Sequence, residues 1–213
     1  GWGPIAHRRV QTDRTPPLPF EIKRLNGDDP TNPQPVLSFS TIDKTSGVDS
    51  YLIQIDGGDW LNAEPLRKDE AYILPLLAPN SHNIIVRAVD AAGNYTEAKI
   101  VIKVEPIAGP EITKYSSRVY LPKEALLVEG IAAPNAQIIL YLARDSEMIT
   151  FETMSNSEGV WQTFYQKKLK SGQWQLSAKT RDKRGALSLP TDRVLVRVDN
   201  WFSYITRFIL TNI

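Results

Sequence analysis

Five positions of this 213-residue chain recur 92 residues later without a gap: Leu77, Ile84, Val86, Asp90 and Gly93 return as Leu169, Leu176, Ala178, Asp182 and Gly185. No other feature restricts the fold so strongly. A repeat of this length is about one sandwich domain, so the chain reads as two similar units in tandem, each burying its own core.

The pattern inside the repeat fixes the type of unit. Tyr51, Ile53 and Ile55 alternate with Leu52, Gln54 and Asp56, and Ile84, Val86 and Ala88 with Ile85, Arg87 and Val89. Ile100, Ile102 and Val104 alternate with Val101 and Lys103, and Val36–Ser40 is a further short run. The second half offers Val128–Ile131, Ile138–Leu142, Val160–Tyr165, Gln173–Thr180 and Val194–Val198. Each run is bounded by Gly, Pro, Asn or Asp and has period two, which predicts half-buried strands. Asp56-Gly57-Gly58-Asp59 and Asp90-Ala91-Ala92-Gly93-Asn94 predict hairpin turns, because glycine tolerates positive φ. No segment before Asp199 carries a helical period. The expected fold is all-β: two tandem antiparallel β-sandwiches of the Ig-like or FN3-like kind, with a short apolar tail.

Proline sets the boundaries. Thr15-Pro16-Pro17-Leu18-Pro19 cannot sit inside a sheet and reads as a stiff joint, as does Glu105-Pro106-Ile107-Ala108-Gly109-Pro110. Residues 1–19 are then the end of a preceding unit and a joint, with Ile5–Val10 a strand end. Residues 20–105 are the first sandwich, 106–110 a linker and 111–198 the second sandwich. The two sandwiches are expected end to end. Residues 199–213 form the tail, with apolar Trp201, Ile205, Phe208 and Ile209 at helical spacing behind an N-cap at Asp199-Asn200. The 13 residues from Trp201 to Ile213 fall short of the roughly 20 that cross a bilayer. They read either as the start of a membrane anchor or as an amphipathic segment docked on protein. The absence of an initiator Met and of a signal peptide reads as a mature product or an excised piece.

Ser46-Gly47-Val48-Asp49-Ser50-Tyr51, with Ile53 to Trp60 and Val86-Arg87-Ala88-Val89-Asp90-Ala91-Ala92-Gly93-Asn94, resembles the fibronectin-III-like and Ig-like modules of bacterial surface proteins. The second half resembles the bacterial Ig-like (Big) group through Gly130-Ile131-Ala132-Ala133-Pro134-Asn135-Ala136, Glu158-Gly159-Val160-Trp161, Leu169–Gly172 and Asp182–Gly185. The resemblance spans residues 20–198. It implies adhesin stalks, spacers in secreted enzymes or envelope domains. Lys183-Arg184-Gly185-Ala186 departs from the Ala-Ala-Gly-Asn of the first half.

Composition excludes several chemistries. With 25 Lys+Arg against 24 Asp+Glu the net charge is +1, which gives no bulk attraction to nucleic acid. Zero cysteines remove disulfides, zinc ribbons and thiol nucleophiles. The two histidines, His7 and His82, do not read as a catalytic base, and His82 aligns with Trp174 as a packing residue at a strand start. Asn26, Asp28, Asp29 and Asn32 crowd one loop, and Asp43, Asp49, Asp56, Asp59 and Asp90 lie at strand ends. Turn capping through their own backbone is the first reading, and Ca²⁺ at Asp28, Asp29 and Asp90 is the minor one. Trp60 and Tyr51 are the candidates for glycan stacking, whereas Trp161 and Trp174 read as core with Leu140, Leu176 and Ala178. Lys99 and Lys103 read as edge protection, with an isopeptide crosslink the lesser alternative. Residues 20–105 hold 8 basic and 13 acidic residues, while residues 110–198 hold 13 and 9. Lys167, Lys168 and Lys170, with Arg181, Lys183 and Arg184, are expected to make one end of the second unit basic. They read first as solvated loops and otherwise as contacts for an anionic lipid surface.

The function expected is a non-catalytic extracytoplasmic bacterial surface or envelope module that spaces, displays or adheres. The alternative is a carbohydrate-binding or accessory module of a secreted enzyme. The implied partners are an unidentified protein or glycan, and a membrane through Trp201–Ile213.

Overall fold

The computed structural model describes residues 12–63, 71–121 and 124–200. The expected strand end at Ile5–Val10, His7 and the tail Trp201–Ile213 lie outside them. No helix among the described residues is long and apolar enough to cross a membrane. The described residues divide into two compact units, residues up to Pro30 with Gln34–Val104 in the first, and Thr31–Pro33 with those from Glu105 onward in the second.

The first unit contains β1 (Ile22–Arg24), β2 (Val36–Phe39), β3 (Val48–Ile55), β4 (Leu61–Ala63), β5 (Tyr72–Ile73), β6 (Asn80–Asp90) and β7 (Tyr95–Val104). One sheet runs β1-β2-β5 and the other β4-β3-β6-β7, all pairs antiparallel. On β6 every even residue from His82 to Asp90 is buried, so the period-two pattern is a true inside–outside alternation. Leu37 and Phe39 of one sheet meet Tyr51, Ile53, Ile84, Val86, Ala88 and Ile102 of the other to make the core. The β3–β4 turn is of type I′: Asp56 and Gly57 both have positive φ, at 52° and 74°, and Gly58 N–H returns to Ile55 O at 2.9 Å.

The second unit contains β8 (Glu111–Tyr115), β9 (Arg118–Leu121), β10 (Leu126–Ile131), β11 (Gln137–Arg144), β12 (Glu147–Met154), β13 (Val160–Tyr165), β14 (Gly172–Arg181) and β15 (Val194–Asn200). Its sheets are β13-β10-β8 and β12-β11-β14-β15-β9. The chain changes sheet at Ser116-Ser117: β8 pairs antiparallel with β10, while β9 pairs parallel with β15. The expectation of purely antiparallel sheets is corrected here. Here β9 runs in the same direction as β15, so the two pair in parallel. The same pairing corrects the expected helix cap. Asp199 and Asn200 continue β15 opposite Tyr120 and Leu121, because β9 offers them ladder partners. The expected joint is likewise partly tied down: Ile107 N–H donates to Leu187 O at 3.2 Å and Pro110 is buried.

Trp161 and Trp174 lie at the centre of the second core with Leu140, Leu176 and Ala178, as the sequence predicts. Trp161 owes its place to Gly130, its register partner on β10. A Cβ at residue 130 would fall 2.3 Å from Trp161 Cζ2 and 2.0 Å from Glu111 O. The space a side chain would need is taken by the indole and by the Glu111 carbonyl. Each large apolar side chain fully removed from water contributes about 1.5–3 kcal/mol, so this packing matters to the whole unit.

Two substitutions test the arrangement. Trp161→Ala should cost about 3–5 kcal/mol in chemical denaturation, and Gly130→Ala about 1–3 kcal/mol through overpacking. In Trp161→Phe the smaller ring frees the space beside residue 130 and removes a buried indole N–H that has no partner. Gly130→Ala should therefore lose the indole part of its cost in that background and keep the part set by the Glu111 carbonyl, a difference a double-mutant cycle measures.

Candidate functional site

The long central strand of each unit is fastened at both ends. At its start, His82 Nε2 donates to Ala78 O at 2.8 Å, and Trp174 Nε1 donates to Lys170 O at 2.9 Å. Donors and acceptors both correspond at the 92-residue offset. In Ig-type sandwiches a tyrosine hydroxyl ties the same corner to the backbone upstream. His82 is 7% exposed, and its Nδ1 lies 2.6 Å from Asp56 Oδ2. Both ring nitrogens thus face oxygen acceptors, and the ring bridges the Ala78 carbonyl and the Asp56 carboxylate. The His82 hydrogen bond, joined by the Asn83 N–H, holds the Asp56 carboxyl below its ordinary value. This histidine is the packing residue its alignment with Trp174 indicates.

At the far end of the strand an aspartate closes the hairpin. Asp90 Oδ1 accepts the N–H groups of Ala92 and Asn94 at 2.9 and 2.8 Å, and Oδ2 accepts Asn94 Nδ2 at 2.8 Å. Asp182 Oδ1 accepts the N–H groups of Arg184 and Ala186, both at 2.9 Å. Gly93 and Gly185 follow with φ of 89° and 88°. The two turns therefore share one structural role despite their different residues. For both aspartates burial works to raise the carboxyl, yet it is held below its ordinary value, at Asp90 by these hydrogen bonds and at Asp182 by the Arg184 side chain together with them.

The structure gathers carboxylates in a way the sequence did not indicate. Asp13 before β1, Asp43 in the β2–β3 loop and Asp90 in the β6–β7 turn each bring an oxygen within 4.8 Å of the others. Asp43 Oδ1 accepts the N–H groups of Ser46, Thr45 and Gly47 at 2.7, 2.9 and 3.0 Å. The Ser46 bond leads these in holding the Asp43 carboxyl below its ordinary value. Asp28 and Asp29 belong instead to the loop that enters β2 from its other end, so they do not join Asp90. Residues so far apart in sequence come together only when β2, β3, β6 and β7 are stacked. No spacing rule exposes such a set.

The other candidates separate as well. Tyr51 is 3% exposed, and its ring lies 5.2 Å from Phe39 in the core, so it offers no stacking face. Its hydroxyl accepts Thr41 N–H at 2.9 Å. Trp60 stacks on Arg87, whose guanidinium carbon is 4.2 Å from the Trp60 centroid and 4.2 Å from that of Tyr95. Arg87 also donates to Glu97 Oε1 at 2.7 Å. One face of Trp60 is thus already taken. Lys99 and Lys103 are exposed on β7, which opposes a buried crosslink. The expected basic end is corrected too. Lys167, Lys168 and Lys170 precede β14 whereas Lys183 and Arg184 follow it, so ten strand residues, about 30 Å, hold them apart.

No family model matches the chain, and no curated protein does. Among solved structures it is similar to the chicken CNTN1 FN1-FN3 domains, at 14% identity over 87% of this chain and 68% of that one, with a TM-score of 0.35. It is similar to the fibronectin(III)-like modules of Clostridium thermocellum CbhA at 16% identity over 84% and 94%, TM-score 0.35. A 1.5-MDa bacterial ice-binding adhesin matches at 14% identity over 88% and 67%, TM-score 0.32. Scores this low carry no functional argument, and the fold rests on strand order and pairing.

The fastened carboxylates predict acid sensitivity. Asp43, Asp56, Asp90 and Asp182 all lie below the ordinary 3.8 in the folded chain. The unfolded chain therefore takes up protons first, and the stability these groups confer is complete above the unfolded value and lost as pH falls through the folded ones. Calorimetry between about pH 6 and pH 2 should show melting temperature falling mainly below about pH 4. Asp56→Asn should shallow that fall.

Proposed function

We propose that the chain is a non-catalytic, extracytoplasmic module of a bacterial surface or envelope protein, in which two sandwich domains space or display what they are attached to. The observation that supports this reading is the fastening of each central strand at both ends, by the corner bond and by the hairpin aspartate. The side chains with the most chemistry, His82, Asp56, Asp90 and Asp182, hold corners and turns through hydrogen bonds to backbone and neighbouring side chains. Both His82 nitrogens are engaged, so the ring has no nitrogen free to take a proton from a nucleophile. Two cores, each closed by its own pair of sheets, suit a tether that must keep its length under load. The glycan-binding alternative loses Tyr51 as a platform and keeps Trp60 with one face covered.

Stretching the chain by its ends in single-molecule force spectroscopy should give two separate unfolding events. Each should release about 25–35 nm of contour, the extended length of a unit this size. One combined event would remove the two-unit spacer. Protease shaving of intact source cells should digest the chain without lysis, and protection there would remove the surface assignment.

A further inference from the structure

The hairpin aspartate is treated differently in the two units. In the second, the Arg184 side chain folds over Asp182, with Nε 2.9 Å and Nη2 2.8 Å from Oδ2. The residue 92 positions earlier is Ala92, which brings no charge. Where the second unit supplies a cation to its hairpin carboxylate, the first adds two more carboxylates, Asp13 and Asp43. Like charges at this distance repel.

A second observation concerns Asp13 alone. Its Oδ1 accepts Thr15 N–H at 2.9 Å, whereas its Oδ2 is shielded from solvent and receives no hydrogen bond. A carboxylate oxygen out of water and without a donor is costly unless a cation meets it. Asp90, beside it, is 2% exposed. The segment that carries Asp13 is held in place from both sides. Thr96 Oγ1 donates to Pro17 O at 2.5 Å, and Leu18 N–H donates to Ile42 O at 3.0 Å.

We propose that Asp13, Asp43 and Asp90 bind one Ca²⁺ ion, which does for the first unit what the Arg184 guanidinium does for the second. The ligands are hard oxygens on three separate loops, and separations up to 4.8 Å span an ion whose ligands stand about 2.3–2.6 Å away. Mg²⁺, with shorter bonds and strict octahedral demands, fits such a set less well. The ion ties the segment before β1 to the β2–β3 loop and the β6–β7 turn. The extracytoplasmic reading matters here only for the supply of calcium, and titration of the isolated chain tests the site whether or not that reading holds.

The probe is CaCl₂ alone, added to the full chain and followed by calorimetry and thermal melting, with MgCl₂ as a second arm. One ion per chain should bind with a dissociation constant of about 10⁻⁴–10⁻³ M, as in extracellular modules, and raise a melting transition reversibly to EDTA. Asp13→Asn keeps an acceptor for Thr15 N–H and should weaken binding about tenfold or more. Ala92→Arg installs the arrangement of the second unit. It should abolish the calcium response and raise the melting temperature in EDTA. Absence of calcium-dependent heat and melting shift up to about 20 mM would overturn the site. So would equal binding of Mg²⁺, or a calcium response that survives both substitutions unchanged.

Discussion

Everything in this molecule hangs on closing the turn after the long central strand of each sandwich. β6 and β14 pair on both sides, and their alternation sends every second residue into the core. That alternation ends on an aspartate whose carboxylate takes up turn N–H groups that no strand can reach. Without this the polar backbone of a tight turn would be stranded beside an apolar core. With it the two neighbouring strands are held in register, and the facing sheet can pack.

The same aspartate links fold to electrostatics. Hydrogen bonding keeps it ionised despite burial, so each unit carries a fixed negative charge at one end of its sandwich. The second unit answers that charge from within its own turn, two residues along. The first unit, whose turn carries alanines, surrounds it with further carboxylates. Two copies of one backbone design therefore differ in what their ends can bind, through residues that leave the strand pairing untouched.

Much of the architecture was legible because it is local. Period-two runs placed β2, β3, β6, β7, β10, β11, β13, β14 and β15, and the 92-residue repeat paired Leu77 with Leu169 and His82 with Trp174 as buried equivalents. Short strands such as β1, β4 and β5 were missed, since two or three residues cannot display a period. β9 was missed because a strand that changes sheets is defined by its partner, not by its own pattern. The basic loops were assigned to one end because their nearness in sequence hid the strand that runs between them.

By itself the sequence determined the fold class, the two units and the residues of each core, because apolar alternation and turn chemistry act between near neighbours. It also marked Asp90 and Asp182 as turn residues. Tertiary structure alone decided that Tyr51 is buried, that Trp60 lies on Arg87, and that Asp13 and Asp43 converge on Asp90 while Asp28 and Asp29 do not. The reason is physical. Convergence of side chains depends on which strand ends share one pole of a sandwich, and stacking two sheets sets that across dozens of residues that carry no trace of it.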